Sequence, residues 1–350
     1  MRYILNESLT CELNDEDGLI LSATDSGSVC VKNEIDEILE ILTLLSKPRT
    51  YDEIFHLFNL KFHFEKNEFD QIFDEMHQLN YVKKYEETFK TSLTSYHLEK
   101  YKRQISSLNS VMAIERSDAL TMQEKICKST VCLIGIGGTG SHLALELASI
   151  GVENLILVDY DVIELSNTSR QILYSEEDIG KRKTDVAKYK LKKYNSRINI
   201  TTYDINIQNE EDFNFLNNHS VDLMVLCADT PRGKIQYITD AAAHKFNIPW
   251  FPYGPLHHSQ IIIGPYIIPN TTKNFTSFFG VELVNADERV ETINKRFTAS
   301  ICDPYNGFAS QFAAIECFKI LSGYRESALV DRMYHVNTDT WEIDVTDWGK

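Results

Sequence analysis

Ser129-Thr130-Val131-Cys132-Leu133-Ile134-Gly135-Ile136-Gly137-Gly138-Thr139-Gly140-Ser141-His142-Leu143-Ala144 is the stretch that decides the fold. It opens as an apolar run of strand length and closes on the start of a helix. Between them Gly135, Gly137, Gly138 and Gly140 let the chain turn tightly, so that main-chain N–H groups at a helix N-terminus approach a polyphosphate closely. Such a glycine pattern alone is weak. Its surroundings strengthen it: Asn154 to Val158 reads as a second buried strand, and it ends in Asp159. That acid lies about twenty residues on, where a carboxylate meets a ribose hydroxyl. Together these features predict a Rossmann-like α/β sheet with a nucleotide at its edge.

The residues after Asp159 decide which nucleotide. Asp161, Glu164, Asn167, Arg170, Gln171, Lys181, Arg182 and Lys183 follow in quick succession. Hydride transfer needs no such cationic set, whereas a triphosphate gathering negative charge at its α-phosphate does. Lys181 and Arg182 read as surface charges, and Asp161 and Glu164 as either site or loop acids. A further buried run, Leu223 to Ala228, delivers Asp229 at its carboxyl end, where open α/β sheets bind ligands, so Asp229 is the candidate Mg²⁺ ligand.

Length and charge bound the rest. At roughly 150 residues per domain, 350 residues predict two domains, and 43% hydrophobic with 25% charged residues is ordinary globular composition. A net charge of −16 argues against nucleic acid and anionic membrane as partners. No apolar run of about 18 residues and no signal peptide is present, which predicts a cytoplasmic protein. The seven cysteines are scattered without a C-x-x-C pair, which predicts buried reduced thiols and disfavours a Cys₄ zinc site. The adjacent His257 and His258 read as loop or substrate-pocket residues rather than metal ligands.

Residues 1–90 hold nine Lys and Arg against nineteen Asp and Glu, so a net of −10 sits on the N-terminal part. Its pattern predicts strands near 2–5, 8–13, 18–22 and 29–31. A helix carrying Ile35, Ile38, Leu39, Ile41, Leu42 and Leu45 follows and stops before Pro48; a second is capped at Thr50; a third carries Phe69, Ile72, Phe73 and Met76; a wing opens at Tyr81. The order is winged-helix-like, and its charge argues against DNA. A sheet edge beside a helix can instead accept an extended peptide by strand addition. Residues 91–125 read as a polar, partly helical connector.

From about residue 97 to 325 the chain resembles the ubiquitin-activating-like (ThiF/MoeB-type) adenylating enzymes. The glycine turn, the run Asp159, Asp161, Glu164, Asn167, Arg170, Gln171, then Lys183 and Asp229 carry the resemblance. It implies that Asp159 binds ribose, that Asn167, Arg170 and Lys183 hold the triphosphate with Gln171 and Asp161 in support, and that Asp229 holds magnesium. It also implies a homodimer in which Arg103, of the Arg103-Gln104 pair, reaches the partner's site. Residues 1–85 resemble the leader-recognition domain of enzymes that modify ribosomally made peptides. The boundaries expected are 1–88 for recognition and 89–350 for adenylation.

Departures from the family narrow the expectation. Many relatives hold zinc with two C-x-x-C pairs, and Asn274 and Ser277 stand where the first would fall, so zinc is not expected. Thioester-forming relatives carry a cysteine in a crossover loop; Cys302 opens a later helix instead and is not taken as a nucleophile. What remains resembles the peptide-adenylating enzymes of the microcin C type and, more closely, of the pantocin type. The function implied is ATP- and Mg²⁺-dependent activation of glutamate carboxylates in a precursor peptide, leading to dehydration and a bicyclic core. Adenylation of a peptide C-terminus, or of a ubiquitin-like sulfur carrier, is the alternative. Substrate-side groups are expected in 249–258 and 296–306.

Overall fold

A computed structural model describes every residue except 15–17, 24–27, 86–89, 112–115, 258, 281–300 and 350. The chain divides into two compact units, Met1–Glu124 and Lys125–Lys350.

The first unit runs β1 (Arg2–Leu5), β2 (Thr10–Leu13), β3 (Leu19–Ser22), β4 (Val29–Val31), α1 (Ile35–Leu44), β5 (Arg49–Thr50), α2 (Tyr51–Asn59), α3 (Lys66–Gln78), β6 (Val82–Tyr85), α4 (Ser95–Lys100) and α5 (Lys102–Ser106). It closes inside α6 (Arg116–Lys128). β1 lies antiparallel between β5 and β6, and β3 antiparallel between β2 and β4. Thr50 starts α2 as expected: its Oγ1 accepts from Glu53 N–H, and the Glu53 carboxylate accepts from Thr50 N–H at 2.7 Å. This reciprocal cap is worth about 1 kcal/mol. Phe69, Phe73 and Met76, spaced along one face of α3, meet Ile41, Leu45, Ile54, Phe58, Leu19 and Leu21 in a buried core.

The second unit holds an eight-stranded sheet in the order β14-β13-β12-β11-β10-β7-β8-β9. In chain order it runs β7 (Thr130–Ile134), α7 (Gly138–Ile150), β8 (Asn154–Val158), α8 (Lys183–Tyr194), β9 (Asn199–Tyr203), β10 (Leu223–Leu226), α9 (Ile235–Phe246), β11 (Trp250–His257) and β12 (Gln260–Ile263). α10 (Phe275–Phe279), α11 (Asp303–Ser322), β13 (Arg332–Asn337) and β14 (Ile343–Asp347) complete it. β11, β10, β7, β8 and β9 are parallel; β12, β13 and β14 extend the sheet antiparallel. Alternation along β7 assigns its faces. Val131 and Leu133 join Leu143 and Leu147 of α7 and Ala309 and Ala313 of α11, while Cys132 and Ile134 join Ala242 and Ala243 of α9 on the other side. The result is a Rossmann-like three-layer α/β/α core.

The strands leave β7 in both directions, to β8 and β9 on one side and β10 and β11 on the other. The crevice at the carboxyl ends of β7 and β10 is therefore the topological switch point where such sheets bind ligands. Among the described residues no helix is long and apolar enough to cross a membrane. The cysteine expectation needs correction: Cys127, Cys132 and Cys317 are buried, but Cys11, Cys30 and Cys302 are exposed. Two of the exposed three lie on the outer strands β2 and β4 of their sheet.

Candidate active site

A cavity of about 1070 Å³ occupies the switch point. Gly135, Gly137, Gly138, Asp159, Asp161, Asn167, Arg170, Gln171, Lys183 and Asp229 all line it. Gly140 does not: a Cβ there would collide with the Gly135 carbonyl oxygen, so this glycine lets α7 pack against the end of β7. Gly135 has φ +92°, and an added Cβ would stand 3.0 Å from the Ala228 nitrogen, so the turns after β7 and β10 meet there. Gly137 differs. Among the described residues beyond its chain neighbours, a Cβ at that position would meet no atom nearer than Gln171 Nε2 at 3.8 Å, so the space it would fill belongs to the cavity.

Asp159, 9% exposed, accepts Ile136 N–H at 2.7 Å on one oxygen and Asp161 N–H at 2.9 Å on the other. Burial pushes its carboxyl up, and the Lys183 ammonium and these two donors oppose the rise. Lys183 is buried at the first residue of α8, with Nζ 2.7 Å from Asp161 Oδ2. Asp161 is thus the counter-ion of the lysine rather than a solvated loop acid. Asn167 Oδ1 accepts Glu164 N–H at 3.1 Å, which leaves its amide N–H groups as what it can offer the cavity. Arg170 Nη1 donates to Ser166 O at 2.6 Å. Gln171 is 4% exposed, and its Oε1 is buried without a partner among the described residues. A buried amide oxygen left unpaired costs about 1–3 kcal/mol, which a ligand donor would recover.

Lys181 and Arg182 sit on the surface, paired with Asp178 at 3.2 Å and Asp204 at 3.0 Å. Arg103 is exposed on α5 of the first unit, while its neighbour Gln104 bonds Gln123 at 2.6 Å. Asp229 follows β10, exposed at the cavity, and accepts from Thr230 Oγ1 at 3.2 Å. An accessible carboxylate beside a phosphate cradle is the oxygen donor set that Mg²⁺ takes, with substrate phosphates supplying the rest. Asn274 and Ser277 do not suit zinc. Asn274 Oδ1 accepts from Ser277 N–H and Oγ at the start of α10, and neither residue offers a thiolate.

The sequence reading missed several lining residues. Arg232, Gln236, Asn206 and Ile207 line the cavity from loops and helix starts that carry no motif. Asn306, at the edge of a broad expected segment, has a specific place: its amide lies where a Gly138 Cβ would stand, and its Nδ2 donates to Arg170 O at 3.4 Å. Tyr253 ties the walls together, its hydroxyl donating to Thr139 O at 3.0 Å, where Ser310 Oγ also donates. Cys227 lines the cavity with its thiol pushed up to about 12 by burial, which keeps it neutral and a poor nucleophile. His258 and residues 296–300 lie outside the described residues, and only the backbone of His257 is described.

Comparison with known proteins agrees with this geometry. The ThiF family profile matches residues 101–347. The sulfur carrier protein ThiS adenylyltransferase of Escherichia coli is 29% identical over 223 residues, 64% of this chain and 84% of that protein. The adenylyltransferase and sulfurtransferase UBA4 of Debaryomyces hansenii is 33% identical over 120 residues, 34% of this chain. The match spans only 26% of UBA4 and 47% of the longer-matched MOCS3 of Dictyostelium discoideum. Among solved structures, E. coli MccB with ATP superposes with a TM-score of 0.78 at 24% identity, covering 100% of this chain and 98% of that one. PaaA superposes at 0.75 and 20% identity, covering 97% and 98%. At these identities the likeness speaks for the fold. With the profile matched across the whole adenylation core, the chain belongs to the ThiF family.

Proposed function

We propose that this protein activates carboxylates of a ribosomally made precursor peptide as acyl-adenylates, with glutamate side chains as the carboxylates and ring closure as the outcome. The observation that carries the reading is the cradle at Gly137, where a missing Cβ opens space that the described protein atoms leave unfilled, beside the main-chain N–H groups that open α7.

Asp159 and the turn after β8 orient the ribose, and the N-terminus of α7 receives the phosphates. Asn167, Arg170 and Lys183 hold the triphosphate while a peptide carboxylate oxygen bonds to the α-phosphorus and the bond to pyrophosphate breaks. Mg²⁺ held by Asp229 neutralises phosphate charge when bound. A neighbouring amide nitrogen then attacks the acyl carbon and loses its proton as AMP leaves, so each closure removes the elements of one water from the peptide. Arg103 acts across a homodimer. Residues 1–88 hold the leader segment, raising the effective concentration of the reacting carboxylate in the adenylation domain of residues 89–350. The winged-helix-like order of helices and the outer strands β2 and β4 support this part, as do the reported complexes of E. coli MccB with N-formylated MccA.

The likeness to ThiS adenylyltransferase favours a second reading, in which a small carrier protein is the substrate. Mass spectrometry after incubation with ATP, Mg²⁺ and the peptide encoded beside the gene separates the outcomes. Loss of water supports cyclisation, gain of nucleotide mass supports stable adenylation, and an unchanged peptide with exchange of pyrophosphate only on a folded carrier overturns the peptide reading. Removing residues 1–88 is expected to weaken peptide use far more than ATP binding.

A further inference from the structure

Asn306 joins two parts of the site that the chain itself keeps far apart. It sits in the first turn of α11, buried at the edge of the cavity. Its amide lies against the turn after β7: a Cβ on Gly138 would stand 2.6 Å from Nδ2, 2.9 Å from Cγ and 3.0 Å from Oδ1. From there Nδ2 donates to the main-chain oxygen of Arg170 at 3.4 Å. Arg170 belongs to the connection between β8 and α8, where regular structure is limited to short 3₁₀ turns, so its place depends on such ties. Tyr174 Oη secures one end of that stretch by donating to Ile136 O at 2.9 Å. Asn306 secures Arg170 itself, from a different element.

The first turns of α11 are braced in their turn. His142 Nε2 of α7 lies 2.8 Å from Asp303 Oδ1, and its ring rests on Gly307, where a Cβ would stand 3.4 Å from Cε1. Ser310 Oγ donates to Thr139 O at 2.9 Å. Asp303, Gly307 and Ser310 follow one another at spacings of four and three, so one face of α11 meets the start of α7 with Asn306 at the same level.

We infer that Asn306 is a positioning residue: it sets Arg170 against the phosphates through that residue's main chain, and the His142–Asp303 pair holds Asn306 in place. The inference rests on the adenylation reading, in which Arg170 contacts the triphosphate. Asn306 itself touches no reacting atom in this account.

Calorimetric titration of the full-length protein with Mg²⁺ and a non-hydrolysable ATP analogue tests it. Asn306→Leu keeps most of the volume against Gly138 but donates nothing to Arg170 O. It should weaken binding about tenfold, the lower end of the roughly 10- to 150-fold that one charge-assisted hydrogen bond is worth. In an Arg170→Ala background the same substitution should cost no more than about twofold, because the tie then has nothing to position. A merely structural Asn306 would repeat its full loss there. Asp303→Ala should also weaken binding, and Asp303→Asn, which still accepts from His142, should restore it. Thermal melts confirm folding, and Asn306→Ala carries the same comparison if leucine overpacks the turn. Wild-type affinity in folded Asn306→Leu protein, or a loss that persists in full with Arg170→Ala, overturns the positioning role and leaves the nucleotide site standing. Asp303→Asn binding no better than Asp303→Ala removes the brace. Wild-type protein that binds no analogue overturns the adenylation reading itself, and the positioning role with it.

Discussion

Replacing Gly137 by alanine separates ligand demand from packing demand. The residue has φ −83°, so alanine meets no left-handed strain, and its new Cβ would find Gln171 Nε2 only at 3.8 Å. No described side chain or backbone blocks the methyl group, so the folded protein should keep its stability to within about 1 kcal/mol. That corresponds to a change in Tm of at most roughly 4 °C for a unit of this size. Nucleotide binding should fall instead. The methyl group occupies the cradle and holds a phosphate off the main-chain N–H groups; one lost charge-assisted hydrogen bond costs about 1.5–3 kcal/mol, or roughly 10- to 150-fold in Kd. Gly140→Ala is the control. Its Cβ meets the Gly135 carbonyl, which α7 cannot avoid without shifting, so it should lose about 1–3 kcal/mol of stability. Differential scanning fluorimetry and calorimetric titration with ATP read both quantities. Folded Gly137→Ala protein that binds ATP as the wild type does would refute the cradle; a large loss of stability would refute the packing argument.

Lys183→Met keeps the buried stem of the side chain but removes the cation paired with Asp161, and should lower pyrophosphate exchange by about 10²–10³-fold with a Tm change of a few degrees at most. Arg103→Ala and Asp229→Ala proteins, each inactive alone, should recover part of the activity when mixed under subunit exchange, and no recovery would count against Arg103 acting across a dimer. Glu146 on α7 has one buried oxygen without a partner among the described residues, and burial raises its carboxyl to about 7, with the Gln311 amide opposing. A raised carboxyl pKa means that the folded state holds the proton more tightly, so stability present below the unfolded value of about 4.5 is lost as pH rises through 7. Glu146→Gln should match the wild type near pH 5 and exceed it at pH 8 by about 1 kcal/mol, discounted for partial exposure. Thermal melts across that range check the sign.

The sequence was most informative where one residue type has one physical use. Buried runs at 130–134, 154–158 and 223–226 are strands because both their faces are covered, and residues after all three, Gly135, Asp159 and Asp229, line the cavity because carboxyl ends of parallel strands meet there. Thr50 and Glu53 announced a helix start by their spacing alone. What the sequence narrowed only to the segments 249–258 and 296–306 depends on distant pairings. Asn306 follows Gly138 by more than 160 residues yet occupies the space its missing Cβ leaves, and Leu256 faces the cavity only because the β11–β12 register slips by one residue. Neither fact has a local signature. Asp161 shows the same limit from the other direction: spacing marked it as a site residue, but only the folded distance to Lys183 reveals what it pairs with.

That pairing changes the electrostatic account of the site. Among the described residues four acids, Asp159, Asp161, Glu164 and Asp229, line the cavity against three bases, Arg170, Lys183 and Arg232, so these side chains alone do not attract a triphosphate to a protein of net charge −16. Main-chain dipoles add to what these side chains supply. α7, α8, α9 and α11 all contribute first-turn residues to the lining, Gly138 and Thr139, Lys183, Ile235 and Gln236, and Asn306, so four helix N-termini converge on the cavity. Each acts like roughly half a positive charge whose effect fades within a turn. Such a field holds phosphates at contact and steers little from a distance. Nucleotide association should therefore depend weakly on ionic strength in the favourable sense, and a steep loss of on-rate with added salt would show that long-range cationic steering, rather than the helix ends, brings the triphosphate in.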